Sequence, residues 1–271
     1  MRKLINILIF VILLLGIGLM LYPFVSNQIT QIWNNRAMEK NGETLRAMEA
    51  LEKKRILAAA QRYNMSLQGG ISDAFSSNKE ADDAYMDVLN PAGDGIMGSI
   101  DIPKAGIHLP IFHTTRSDVL RMGVGHVENT SLPIGGLGTH CALAGHNGLP
   151  SARLFTDLVK VEVGDTFTLH ILDDDLLYQV DQILVVEPSE TQYLLPESDK
   201  DLVTLVTCTP YGINSHRLLV RGTRVMQSAS PLGDAPVKKD NTWLYIAIGG
   251  VCILLLGTIA VLLQRLNKNH N

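Results

Sequence analysis

The sequence places a cysteine and an arginine so that one could activate the other. Cys208 follows an apolar run of β type, Leu202–Thr207, and Arg217 precedes a second such run, Leu218–Val220. The segment between them is rich in turn-forming residues, which is typical of a hairpin with a long loop. If the two runs pair antiparallel about the centre Gly212-Ile213, Cys208 faces Arg217 with the Cβ atoms about 5 Å apart.

A guanidinium next to a thiol favours nucleophilic chemistry at sulfur. A nearby cation stabilises the thiolate form of cysteine, and the thiolate is the nucleophile. The alternative is that Cys208 is a small buried apolar residue, since lone cysteines in strands are usually inert. The residues alone leave both interpretations open.

A thiolate that cleaves a peptide bond also needs a group that protonates the leaving amine. Histidine, with a pKa near neutrality, is the usual general acid. His140 and His146 bracket the apolar segment 141–145, so one opens a strand and the other lies just past its end. Strand ends next to loops expose reactive groups on a rigid scaffold. No carboxylate or third histidine stands at a recognised metal-binding spacing from this pair, so the sequence predicts no metal and no cofactor.

Residues 204–208, Thr-Leu-Val-Thr-Cys, resemble the Thr-Leu-x-Thr-Cys signature of sortases, the membrane-anchored cysteine transpeptidases of Gram-positive bacteria. Arg217 stands where that family keeps its catalytic arginine. The string through Gly222 resembles class C, the sortases that polymerise pilins. His146-Asn-Gly-Leu-Pro150 is similar to the segment that begins at the sortase catalytic histidine.

The resemblance implies a role for each of the three side chains. Cys208 is expected to attack the Thr–Gly bond of a Leu-Pro-x-Thr-Gly-like sorting signal, and His146 to act as general acid and base. Arg217 is expected to hold the substrate carbonyl or the oxyanion. A lysine of another pilin subunit then resolves the thioester to give an isopeptide bond. His140 is left as a structural residue of its strand.

Class C sortases have a lid that covers the active site, and the loop before the barrel contains a similar motif. In Asp73-Ala74-Phe75, the resemblance implies that Asp73 pairs with Arg217 and that Phe75 covers Cys208. The family has proline where this chain has Ala74, which predicts a more mobile lid because proline fixes φ. The alternative is a plain linker with a chance Asp-x-Phe.

Short strand-like segments separated by turn clusters favour a closed barrel or a sandwich. Two short helical pieces, Ser117–Met122 and Ser151–Leu158, are predicted between them. The resemblance implies an eight-stranded sortase-type β-barrel over residues 91–226, in a mainly β fold. The strands expected from the pattern are Ile96–Ile102, Ile107–His113, His140–Ala144, Thr166–Leu172, Leu177–Val186, Leu202–Thr207 and Arg217–Val225.

Two apolar runs, Leu4–Tyr22 and Trp243–Leu263, are each long enough to cross a bilayer as a helix. The first lacks a cleavage pattern and exceeds the usual signal-peptide length, so an uncleaved anchor is predicted rather than a signal peptide. Arg2 and Lys3 place the amino terminus in the cytoplasm. Two crossings return the carboxyl terminus there, with the catalytic domain on the extracellular face of the membrane.

Helix formers over residues 26–67 predict a helical stalk with a break at Gly42. Residues 68–90 are rich in glycine and polar residues and are expected to form the lid loop. Residues 227–242 read as a linker to the second membrane helix.

Composition excludes several other classes of protein. A formal net charge of −4 at pH 7 gives no indication of nucleic-acid binding. The lack of a Cys-x-x-Cys motif argues against a thiol–disulfide oxidoreductase, and Cys141 is expected to be a free thiol. A housekeeping-type sortase that uses a cell-wall precursor, and a membrane-tethered assembly module without turnover, stay open beside the pilin-polymerising enzyme.

Overall fold

The structure is a computed structural model that describes residues 2–67 and 82–225. The predicted lid residues Asp73 and Phe75 and the predicted second membrane helix, Trp243–Leu263, lie outside the described residues. Residues 20–225 belong to one compact unit and residues 2–19 to another.

Two long helices precede the β-sheet. Helix α1 runs from Arg2 to Ala47, and α2 from Ala50 to Ser66. In the part of the chain that the structure describes, α1 is the one helix that is long and apolar enough to cross a membrane, judged by length and composition. The predicted break at Gly42 is wrong, because α1 passes through it. A single glycine costs only about 1 kcal/mol relative to alanine, which a long helix tolerates.

Two short helices accompany the strands. Helix α3, Asp83–Asp87, lies in the range expected to be loop, and the side chain of Asp82 caps it by accepting a hydrogen bond from Ala84 N at 3.1 Å. Helix α4, Ser117–Met122, has the predicted bounds.

Eight strands close into a barrel with the spatial order β1-β2-β3-β4-β7-β8-β6-β5, which confirms the predicted eight-stranded β-barrel. Neighbouring strands are antiparallel except for β2 with β3 and β4 with β7, which are parallel. The strands are β1 (Ile96–Ile102), β2 (Ile107–Phe112), β3 (Val124–His126), β4 (Thr139–Ala144), β5 (Thr166–Ile171), β6 (Asp174–Val186), β7 (Asp201–Thr209) and β8 (His216–Arg224).

The structure differs from the expected elements at two further places. Strand β3 was absent from the predicted strands because three residues are too few to show alternation. The predicted helix Ser151–Leu158 is wrong. Phe155 N donates to His146 O at 3.0 Å rather than to a residue one helical turn earlier, and a short 3₁₀ helix, Thr156–Lys160, follows.

Strand β7 is buried on both faces. Val203 and Leu205 pack into the barrel interior with residues such as Phe167, whereas Val206 packs with Leu219 in a second cluster on the outer face. A strand covered on both sides reads as a continuous apolar run instead of an alternating one. This explains the sequence Leu202–Thr207 and makes β7 the most constrained element near the predicted nucleophile.

A chain of titratable side chains crosses the barrel surface from β2 to β6. Asp101 lies between His108 and His170, with hydrogen bonds to both, and His170 Nδ1 also bonds Asp175 at 2.6 Å. The hydrogen bond to Asp101 and the one to Asp175 raise the pKa of His170 to about 9 despite partial burial. Burial alone would raise the pKa of Asp101, but the hydrogen bonds from His108 and His170 outweigh it and hold that pKa well below its usual range.

The raised pKa of His170 predicts a loss of stability at alkaline pH. Protonated His170 stabilises the fold fully below its unfolded pKa of about 6.5, and this contribution disappears as the pH rises through about 9. We expect the urea-measured free energy of unfolding to fall more steeply over that range in the wild type than in His170→Gln. Equal slopes in the two proteins would contradict the prediction.

Candidate functional site

The register of the hairpin confirms the prediction that Cys208 lies opposite Arg217. In the antiparallel pair β7–β8, Cys208 is the direct partner of Arg217. Directly opposed residues place their side chains on the same face of a sheet. Cys208 is 9 % exposed, and Cys141 is a free thiol, as expected.

The alternation of side chains along a strand shows which face of the barrel Cys208 and Arg217 occupy. Side chains alternate along a strand, so Cys208 lies on the same side of β7 as Val206, and Arg217 on the same side of β8 as Leu219. Val206 and Leu219 belong to the cluster on the outer face. The thiol and the guanidinium therefore point outwards from the barrel and not into its core.

His146 reaches the same level through the parallel pair β4–β7. Ala144 is the partner of Val206, so extending the register by two residues sets His146 beside Cys208. Two hydrogen bonds, one from each residue flanking His146, support this placement. Gly145 N donates to Val206 O at 3.0 Å, and Asn147 Nδ2 donates to Cys208 O at 2.9 Å. The structure thus brings the imidazole, the thiol and the guanidinium to one rim of the barrel, on three successive positions across the sheet.

The backbone around His146 is fixed by its neighbours. Thr207 Oγ1 donates to Gly145 O at 2.7 Å, and Phe155 N donates to His146 O at 3.0 Å. A Cβ atom on Gly145 would lie 2.6 Å from the ring of Phe155, so only glycine permits this approach. The loop after β4 is therefore held against β7 by specific contacts.

Burial and a nearby cation set the charge state of His146. Burial lowers the pKa of the His146 imidazole, and the charge of Arg121 lowers it further. Neutral imidazole is consequently favoured over imidazolium in the folded protein. A neutral ring can accept a proton, whereas Arg217 keeps its charge at any working pH.

His140 differs from His146 in that both ring nitrogens are engaged. Nδ1 donates to Leu195 O at 2.9 Å, and Thr204 Oγ1 donates to Nε2 at 2.7 Å, with the tautomer assigned from the carbonyl acceptor. Burial lowers the pKa of His140, which fits a neutral ring. His140 therefore fastens the segment between β6 and β7 to the barrel, in keeping with its predicted structural place.

Cys141 and Arg221 lie away from the rim that carries Cys208 and Arg217. Cys141 is the partner of Val203, five positions before Cys208 on β7, and burial raises the pKa of its thiol. Arg221 is held by Asp181 at 3.0 Å and by Glu197 at 3.1 Å. Among residues 2–67 and 82–225, no three His, Cys, Asp or Glu side chains are arranged to hold a metal ion.

A shallow groove, open to solvent, lies beside Arg217. Its walls come from β7, β8 and the segment after β6. The sequence analysis did not single out that segment, because its residues carry no reactive group. The apolar lining residues are Val186, Pro188, Leu194, Val206 and Leu219, and Glu187 and Glu190 add carboxylates. An extended peptide laid in this groove would pass Arg217 next to the thiol.

Comparison with protein families matches the sortase domain model to residues 100–225. Sortase A of Bacillus anthracis is 30% identical over 130 residues, which are 48% of this chain and 60% of that protein. The chain thus spans about three fifths of that curated relative's length.

Solved structures match over a larger share of their own length. Sortase C1 of Streptococcus agalactiae is 43% identical with a TM-score of 0.65, and the match covers 71% of this chain and all of that one. Sortase C of Streptococcus pneumoniae is 38% identical with a TM-score of 0.63, covering 72% of this chain and 99% of the other.

The charge of Arg121 gives a test of the electrostatics at His146. Because the guanidinium disfavours imidazolium, Arg121→Gln should raise the pKa of His146, and added salt should lessen the difference between variant and wild type. An NMR titration of the imidazole protons measures this directly. Arg116→Gln, a change in the exposed residue that precedes α4, serves as the matched control. A His146 pKa that is unchanged or lowered in Arg121→Gln would contradict the assignment.

Proposed function

The chain belongs to the sortase family, with class C sortases among its structural neighbours, and we propose that it is a membrane-anchored transpeptidase that joins pilin subunits. The observation that carries the proposal is the alignment of His146, Cys208 and Arg217 across β4, β7 and β8. A nucleophile, an acid–base group and a fixed cation at one rim suit acyl transfer through a thioester.

In the first half-reaction the Cys208 thiol gives its proton to His146, and its sulfur attacks the threonine carbonyl of the sorting signal. Arg217 stabilises the oxyanion of the tetrahedral intermediate, since it carries a permanent charge on the same face as the sulfur. The intermediate collapses by breaking the Thr–Gly bond, and His146 donates the proton that the departing glycine amine requires. The product is a thioester between Cys208 and the threonine carbonyl.

In the second half-reaction a lysine amine of another pilin subunit attacks the thioester. His146, neutral after the first step, accepts a proton from the amine, and Arg217 again stabilises the oxyanion. The carbon–sulfur bond breaks, an isopeptide bond forms, and the departing sulfur takes the proton back from His146, so that the thiol of Cys208 is restored. The lowered pKa of His146 keeps the resting ring neutral, which is the form able to accept a proton.

The choice of a pilin as substrate rests on the structural neighbours and on the groove. The solved structure of sortase C from Streptococcus pneumoniae bears on the pilin substrate specificity of that enzyme. In this chain, the apolar side chains that line the groove beside Arg217 would contact the leucine and proline of an extended sorting signal.

The membrane arrangement follows the sequence pattern. Helix α1 supplies one apolar span, and the run Trp243–Leu263 would supply the second. Both termini would then be cytoplasmic and the barrel would lie outside the cell, where pilins with sorting signals are displayed. The lid formed by Asp73 and Phe75 stays a prediction.

Incubation of the full-length enzyme with purified pilin subunits tests the function. We expect a ladder of covalent polymers with the wild type and none with Cys208→Ala, because that variant lacks the sulfur on which the thioester forms. His146→Ala and Arg217→Ala should lower the rate by roughly 100-fold or more, since each removes a group that acts in the transition state.

The two alternatives give different outcomes in the same assay. A housekeeping-type sortase would cleave the sorting signal and transfer it to a cell-wall precursor amine without building a pilin ladder. A non-catalytic assembly module would leave the sorting signal intact. Polymer formation by the Cys208→Ala protein would contradict the proposal outright.

A further inference from the structure

Next to Cys208, a side chain replaces a backbone donor in the hydrogen-bond ladder between β4 and β7. In a parallel pair, the N–H groups of alternate residues on one strand donate to alternate carbonyls on the other. Gly145 N donates to Val206 O at 3.0 Å, so the next donor in the series would be Asn147 N, with Cys208 O as its acceptor. The side chain takes that place instead, and Asn147 Nδ2 donates to Cys208 O at 2.9 Å.

This substitution lets the backbone leave the sheet while the contact with Cys208 is kept. Strand β4 ends at Ala144, and Gly148 adopts a left-handed φ of +81° close to the ring of Tyr211. Gly148 N donates to Thr156 Oγ1 at 3.1 Å, which draws the loop away from β7. The Asn147 amide therefore joins a loop that is departing from the sheet to the residue that carries the thiol.

Asn147 is buried at a cost that a packing residue would avoid. It is 8 % exposed, and its Oδ1 has no hydrogen-bond partner. An apolar side chain of similar volume would fill the same space without leaving a buried acceptor unsatisfied. The favourable contribution of the amide thus lies in its donor group, which is directed at the Cys208 carbonyl.

We propose that Asn147 is a positioning residue, whose amide stands in for a backbone rung and holds His146 level with Cys208. The inference rests on the proposed function, because it assigns a task within that reaction. His146 is bracketed by two bonds to β7, from Thr207 Oγ1 to Gly145 O and from Asn147 Nδ2 to Cys208 O. Loss of the second bond removes the side-chain contact that fastens the residue after His146 to β7.

The expected defect is in turnover and not in substrate binding. The groove that would hold the sorting signal lies on the β8 side of Cys208, with Val206, Arg217 and Leu219 in its lining, whereas Asn147 approaches from the β4 side. A displacement of about 1 Å between reacting groups can cost on the order of 100-fold in rate. Asn147→Leu should therefore lower kcat by roughly 10- to 100-fold and leave the KM for a sorting-signal peptide within about twofold.

A matched control separates positioning from general loss of structure. Asn64 on α2 also fastens a loop by side-chain hydrogen bonds, since Leu132 N donates to its Oδ1 at 2.8 Å and its Nδ2 donates to Leu132 O at 3.4 Å. Asn64→Leu should lower the unfolding temperature and leave kcat unchanged. Asn147→Leu should lower kcat and leave the unfolding temperature close to that of the wild type, because it also removes the unsatisfied Oδ1.

A second variant gives a signature that a structural role would not produce. In Asn147→Asp a carboxylate opposes the Cys208 carbonyl, but a protonated carboxyl can donate to it. Burial raises the pKa of such a carboxyl, so protonation falls within a usable pH range. The ratio of kcat in Asn147→Asp to kcat in Asn147→Leu should rise as the pH falls.

Peptide cleavage by the full-length wild type and by Asn147→Leu, Asn147→Asp and Asn64→Leu tests whether Asn147 positions His146. A kcat for Asn147→Leu within twofold of the wild type, or a flat ratio between the two Asn147 variants across pH, would overturn the inference. Failure of the proposed function is a separate result, because in that case the wild type itself forms no product.

Discussion

The parallel pairing of β4 with β7 is the constraint on which the candidate site depends. It joins segments that lie 62 positions apart in the chain and sets the end of one beside the end of the other. The antiparallel pairing of β7 with β8 adds Arg217 on the opposite side of Cys208. The backbone ladder places Cys208 and Arg217. His146 follows in the loop after β4, which is fastened to β7 by Gly145 N, Thr207 Oγ1 and Asn147 Nδ2.

The central strand of this arrangement is the least free to move. Strand β7 packs against the barrel interior through Leu205 and against the outer cluster through Val206. Its carboxyl end therefore holds Cys208 in a fixed place, while His146 and Arg217 sit where β4 ends and β8 begins. The reactive groups stand at the boundary between rigid strands and loops, which combines precise placement with access for a peptide.

Burial and hydrogen bonding give different capacities to His140, near the start of β4, and His146, just past its end. His140 uses both ring nitrogens to tie Leu195 and Thr204 together, so it has no capacity for proton transfer. His146 is only partly buried and lies at the rim, where burial and Arg121 lower its pKa. The same residue type thus serves as a structural link at one end of the strand and as an acid–base candidate at the other.

Several features were accessible from the sequence because they are local. The hairpin register that sets Cys208 opposite Arg217 follows from symmetry about the turn, and alternation with turn residues located most of the strands. The approach of His146 to Cys208 was not accessible in that way, since a parallel pair leaves no local signal and the expectation came from the family resemblance. Strand β3 is too short to show a period. The predicted helix Ser151–Leu158 does not form, because Phe155 N donates to His146 O across the loop, and the local sequence carries no signal of that bond.

The most direct test of the account is the mass of the intact enzyme after brief exposure to a sorting-signal peptide. Fragment analysis should show Cys208 carrying the part of the peptide that ends in threonine, and hydroxylamine should release it as expected for a thioester. Consumption of the peptide without any adduct on Cys208, or with the adduct on another residue, would contradict the assignment of Cys208 as the nucleophile.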